Sequence, residues 1–285
     1  MNQQIINLFD QYTHKPLPRS EFLKKLAKLT GSMAAALAVL PLLEVNYAKA
    51  ATVTDQDLEI ITGKIEYPSG DEKIKAYQAV PSKDGKTGAV VLIHENRGLN
   101  PHIEDVARRV AKAGFLAIAP DALSIDGGTP EDTDQARTMI RALDRQKTLS
   151  RFVAAVDYLE KHANSNGNVG CVGFCWGGRM ANQLAVNAPE MKAAVAFYGS
   201  QPTAEDVAKI KGKVMLHYGS LDERINKGIP DYTAALKKEG VSYELFMYEG
   251  ANHAFHNDTA TTRYNEAAAK LAWQRTIDFF RKELE

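Results

Sequence analysis

Residues Val172 to Gly178 read VGFCWGG. From Gly173 to Gly177 the frame is that of a strand-to-helix elbow, G-x-S-x-G, with cysteine where serine usually stands. The apolar run Asn168 to Phe174 precedes it and a helical pattern, Arg179 to Asn187, follows, which is the context the motif requires. Glycines flank the central residue because the turn is tight and strained, and a β-carbon there would meet the adjoining strand and helix. Such a turn exposes the Cys175 side chain and places the Trp176 backbone N–H where it can donate to an oxyanion. The competing reading is a buried thiol in a glycine-rich turn, the commonest state of free cysteine.

Outward from the elbow, strand-like and helix-like stretches alternate. Ala89 to Glu95, Phe115 to Asp121, Asn168 to Phe174, Lys192 to Gly199 and Lys213 to Gly219 are nearly continuous apolar runs, as expected for strands buried on both faces of a parallel sheet. Tyr243 to Gly250 adds a last strand, and Gly63 to Ser82 reads as an edge hairpin turning at Gly70-Asp71. Helical patterns run over His102 to Ala113, Glu131 to Lys161, Arg179 to Asn187, Ile229 to Lys238 and Arg263 to Leu284. The sum is a doubly wound α/β sheet, mostly parallel, with helices on both faces and ligand sites at the carboxyl ends of the strands.

After an elbow nucleophile the acid and the histidine follow in chain order. Asp222 lies just past the strand ending near Tyr218, and His253 just past the last strand. The separations, 47 residues from Cys175 to Asp222 and 31 from Asp222 to His253, each leave room for a strand and a crossover helix. His253 is the expected general base and Asp222 the group that fixes its tautomer. Glu223 is an alternative orienting carboxylate, because either acid could hold an imidazole. His256 follows His253 by three, but no nearby motif completes a metal site, so neither metal nor cofactor is expected. His94 and His217 fall on predicted strands and read as structural histidines. The loop after the Ala89 to His94 strand should supply a second oxyanion donor, assigned to Asn96, and bring Glu95 into the same site. A carboxylate beside a thiol raises its pKa, so Glu95 is either a plain partner of Arg97 or Arg179 or has a specific task.

Composition narrows the field. Thirty-five Lys and Arg balance thirty-five Asp and Glu, so no net field favours nucleic acid or an anionic membrane, and a small-molecule partner is expected. Residues 1–50 differ from the rest: PRSEFLKKL precedes the apolar run SMAAALAVLPLL, and Ala48 and Ala50 form an A-x-A cleavage pattern. The segment reads as an export signal, close to a twin-arginine type lacking its first arginine, on a protein sent to the periplasm; a cytoplasmic protein is the alternative. The run is too short for a membrane span of about twenty residues. About twenty-five residues precede it, long for a signal's first region, so an amphipathic amino-terminal helix is the competing reading. Residues 51–285 then form one catalytic domain. Cys171 and Cys175 are the only cysteines; on one extended strand their α-carbons would lie roughly 13 Å apart, beyond disulfide reach.

At these residues the chain resembles the dienelactone hydrolase family, a cysteine branch of the α/β-hydrolase fold. The likeness rests on GFCWGG at the elbow, Glu95, Pro120-Asp121, Phe197 to Gly199, Asp222 and NHAF at His253, and spans roughly residues 59 to 285. It implies hydrolysis of an ester or lactone through a thioester on Cys175, with Glu95 holding the resting thiol neutral until substrate displaces it. It also implies two arginines gripping a substrate carboxylate, but Asn257 and Ile125 stand at those positions. An amide and an alkyl chain do not replace a bidentate guanidinium, so the reaction class is implied more firmly than the substrate. Tyr198 and Trp176 are expected to line the pocket. An acyl or thiol transferase using the same thioester, and a non-catalytic protein on the same fold, are the alternatives.

Overall fold

The computed structural model describes residues 1–47 and 51–285; the Ala48 and Ala50 cleavage pattern lies outside the described residues. Eight strands form one sheet in the order β1-β2-β4-β3-β5-β6-β7-β8. β1 (Ile60–Ser69) and β2 (Glu72–Pro81) make the expected antiparallel edge hairpin, and β2 pairs antiparallel with β4 (Leu116–Pro120). β3 (Thr87–Ile93), β4, β5 (Ser165–Phe174), β6 (Ala193–Phe197), β7 (Lys213–Gly219) and β8 (Tyr243–Tyr248) run parallel. The continuous apolar runs make sense here, because β3, β4 and β6 are buried almost throughout.

Apolar clusters fill both faces of the sheet. One gathers Val91, Ile118, Cys171 and Leu216, the other Val90, Leu92, Val172 and Val195, in keeping with the twofold alternation of side chains along a strand. α4 (Pro101–Lys112), α6 (Arg145–Glu160), α7 (Trp176–Asn187), α9 (Ile229–Lys238) and α10 (Glu266–Leu284) cover those faces, with the one-turn α8 (Glu223–Asn226) after β7. The long helical pattern over 131 to 161 divides into α5 (Thr133–Ala142) and α6. Leu143 is extended, with φ −56° and ψ 137°, and Asp144 caps α6 by accepting from Lys147 N at 2.9 Å.

The amino-terminal segment is folded. α1 (Gln3–His14), α2 (Arg19–Thr30) and α3 (Met33–Leu43) pack around their own apolar cluster, with Phe9, Phe22, Leu26, Ala36 and Leu43 fully buried. Asn2 and Ser32 cap α1 and α3, and Gly31, at φ 87°, ends α2 in the left-handed conformation glycine allows. No helix among the described residues is long and apolar enough to cross a membrane; α2 and α3 reach that length only together, across a 107° bend. This amino-terminal segment docks on the rest of the chain through Tyr12 Oη donating to Asp134 (2.8 Å), Arg224 Nε donating to Asp10 (3.1 Å), and Asn46 N donating to the Thr259 carbonyl (2.9 Å).

Candidate active site

Cys175 stands between β5 and α7 with φ 58° and ψ −110°, a conformation a non-glycine residue adopts only when its surroundings enforce it. The surroundings do so. A Cβ on Gly173 would overlap the Gly177 carbonyl, and one on Gly177 would overlap the Ile93 and His94 carbonyls, so the elbow closes only with glycine at both positions. Cys175 N donates to the Phe197 carbonyl at 3.0 Å, tying the turn to β6. Cys171 and Cys175 are both free; burial pushes the Cys171 thiol well above the ordinary range.

Asp222 follows β7 and caps α8, and His253 follows β8. The His253 Nδ1–Asp222 Oδ2 separation is 2.5 Å, with both residues buried. With Nδ1 donating to the carboxylate, His253 Nε2 is the free face of the ring; it is buried with no hydrogen-bond partner among the described residues. Asp222 rather than Glu223 is therefore the carboxylate on His253. His94 and His217 are embedded in the scaffold: His94 Nδ1 meets the Glu95 carbonyl at 2.6 Å, and His217 meets Tyr248 and Thr276. Burial pulls the His217 pKa down to about 3. His256 packs between Phe174, Phe197 and Trp273.

Asn96 and Trp176 both reach the site. Trp176 opens α7 with its ring stacked on His94 at 5.2 Å, and Asn96 donates from Nδ2 to the Thr13 carbonyl at 3.0 Å. Tyr198, at φ 39°, is fully buried and lies 3.4 Å from Glu95 Oε1 through its hydroxyl. Glu95 differs from the expected gate. Its other oxygen, Oε2, accepts from Asn257 Nδ2 at 2.9 Å, so both oxygens face groups other than the thiol. Burial would raise the Glu95 pKa, but His102, Arg97, Arg263 and the Asn257 hydrogen bond together hold it below the ordinary range. Asn257, where the resemblance calls for arginine, is thus a buried anchor for that carboxylate, while Ile125 is exposed in a short 3-10 turn.

The polar contact of Cys175 Sγ comes from a residue the sequence reading passed over. His14, at the end of α1, places Nε2 3.1 Å from Sγ. Its Nδ1 lies 3.0 Å from Asp10 Oδ1, and Arg224 holds the other Asp10 oxygen. The His14 and His253 rings meet edge to face at 4.6 Å, and their nitrogens and Sγ lie within 4.8 Å of one another. A thiophilic cation would find three donors in that cluster, but one of them is the strained elbow cysteine, and each imidazole already has a carboxylate behind it. The clue in the sequence was the apolar face of α1, where Ile5, Leu8, Phe9 and Tyr12 are buried at helical spacing. A cavity of about 460 Å³ opens on the cluster, walled by Thr13, His14, Asn96, Trp176, Arg224 and His253.

An eight-stranded sheet in which β2 alone runs antiparallel to the other strands, a strained cysteine after β5, an acid after β7 and a histidine after β8 define an α/β-hydrolase fold. The chain belongs to the dienelactone hydrolase family, whose model matches residues 74–284, and it is a hydrolase of ester or lactone bonds. A relative in Escherichia coli O157:H7, provisionally named a carboxymethylenebutenolidase, is 32% identical over 246 residues, covering 81% of this chain and 90% of its own. A Bradyrhizobium relative, provisionally named a 2-oxo-3-(5-oxofuran-2-ylidene)propanoate lactonase, is 34% identical over 76% of this chain and 92% of its own. The crystal structure of a provisionally assigned dienelactone hydrolase from Klebsiella pneumoniae superposes with a TM-score of 0.70 at 29% identity, covering 78% of this chain and 98% of that one.

Proposed function

We propose that the protein hydrolyses a small ester or lactone through a thioester on Cys175, with His253 and Asp222 completing the triad. The observation that carries this reading is the strained Cys175 backbone beside a buried imidazole whose Nδ1 is held by Asp222 and whose Nε2 is free. Sγ attacks the carbonyl carbon, and the oxyanion meets the backbone N–H groups of Trp176 and Asn96. Collapse expels the alcohol oxygen, which takes a proton, and water then cleaves the thioester with His253 Nε2 as base. The cavity wall also carries Arg137, Arg141, Arg145, Arg179 and Arg224, which favours a substrate with a negative charge despite Asn257 and Ile125. The test is Cys175→Ala against an activated ester such as p-nitrophenyl acetate. Activity should fall roughly 10⁴-fold or more with the fold intact, and undiminished turnover would refute the assignment. Partition of the acyl-enzyme between water and added thiol separates hydrolase from transferase.

A further inference from the structure

We propose that His14 is a second proton-transfer residue of this active site, so that the amino-terminal helices are a working part of the enzyme. The proposal rests on the thioester reading above and divides its proton steps between two imidazoles. On attack, the Cys175 proton passes to His14 Nε2 as the S–C bond forms; when the C–O bond breaks, the leaving oxygen takes that proton from His14. In the second half, His253 Nε2 takes a proton from the attacking water and returns it to Sγ as the C–S bond breaks.

Four observations support this division. First, each imidazole has a carboxylate behind it. His14 Nδ1 lies 2.9 Å from the Asp10 backbone carbonyl and 3.0 Å from Asp10 Oδ1, with Nε2 3.1 Å from Sγ, while His253 has Nδ1 on Asp222 and an Nε2 unpartnered among the described residues. The imidazole touching the thiol is thus His14, and the one with a vacant nitrogen is His253. Second, the segment lines the substrate space without filling it: Thr13 and His14 stand in the wall of a cavity that still measures about 460 Å³. A segment that merely stoppered the site would occupy that volume.

Third, charged side chains knit the docking surface together. Asp10 would be costly to desolvate alone, and the catalytic domain meets it with Arg224; Asp134 receives both Tyr12 and Arg19; Arg137 and Arg263 lie over the rings of Tyr12 and Phe9 at 4.6 and 5.3 Å. Fourth, the charged and titratable groups facing His14 favour its protonated form. Burial disfavours the cation, but Cys175 and Asp10 outweigh it and raise the His14 pKa, with His253 edge-on beside the ring and Arg224 behind Asp10.

A cut after Ala50 would remove His14, so the working enzyme keeps residues 1–47 attached. The decisive measurement is pre-steady-state hydrolysis of a p-nitrophenyl ester by the full chain. His14→Gln should slow the acylation burst by about 10²-fold, while His253→Gln should chiefly slow turnover after the burst. Added imidazole should restore part of the burst in His14→Ala, a recovery that a residue serving only to pack the helix would not allow. Alkylation of Cys175 by iodoacetamide reads the Sγ–His14 contact without any ester, so slower alkylation in His14→Gln would stand even if the hydrolase reading failed. A wild-type or faster burst in folded His14→Gln would overturn the proposal. So would full activity in an enzyme whose amino terminus is Ala51.

Discussion

Two imidazole–carboxylate pairs flank one sulfur, and they are built in different ways. His253–Asp222 is carried on the loops after β8 and β7, at the carboxyl edge of a sheet whose strands are packed on both faces. His14–Asp10 is carried on a single helix, at i and i+4, and reaches the sulfur only because α1 docks across the site. The first pair is rigid because the sheet is; the second is as rigid as its docking. The contrast suggests that the sheet supplies the reaction's fixed geometry and the amino-terminal helices supply a contact that depends on their staying in place.

Replacing each carboxylate by its amide breaks this comparison most sharply. Asp222→Asn should cost roughly 10⁴-fold in kcat, because the His253 tautomer depends on that oxygen and the wrong tautomer presents N–H to the water. Asp10→Asn should cost only about tenfold, within the range for loss of one aid to general base catalysis. His14 Nδ1 also lies 2.9 Å from the Asp10 backbone carbonyl, so its proton keeps an acceptor when the side chain changes. Equal losses in the two variants would mean that the pairs are equivalent and would remove the distinction drawn from their supports.

The elbow marks a third, purely structural contrast. Gly173→Ala should destabilise the fold by roughly 3 kcal/mol, since overpacking at a closed backbone crossing forces the chain to move. Gly240→Ala, where a Cβ meets open space at a left-handed turn, should lose about 1 kcal/mol through conformational strain alone. Urea unfolding of the two variants measures the difference.

These two regions were also unequally legible in the sequence. Asp222 and His253 could be found because strand ends are marked by apolar runs that stop, and the elbow motif fixes the order in which the acid and the histidine follow. His14 carried no such mark. It sits ahead of an apolar run with an A-x-A pattern, and a leader reading accounts for that composition without any tertiary contact. Its position on Sγ arises from docking across 161 residues of separation, which no local periodicity encodes. The division of the 131 to 161 pattern was legible in principle through the Asp144 cap, but an unbroken amphipathic stripe masked it. Glu95 was placed correctly after β3; its orientation depended on Asn257, a neighbour from 162 residues away.

The smallest expected effect concerns the docking of α1 itself. The His14 pKa is raised in the folded chain, so its contribution to docking is fully present below its unfolded value and is lost as pH rises through the folded value. Asp10 behaves oppositely. Burial would raise its pKa, but His14, His253 and Arg224 hold it well below the ordinary carboxylate value, so its contribution is present above the unfolded value and is lost as pH falls through the folded one. Docking should therefore be tightest between the ordinary carboxylate and imidazole ranges, from about pH 4 to about pH 6.5. Hydrogen exchange of the α1 amides, corrected for intrinsic pH dependence, should show greatest protection in that window and loosen toward alkaline pH, while β5 and β6 stay protected throughout. In His14→Gln the alkaline loosening should vanish. If it persists there, another group controls how tightly this helix holds to the sheet.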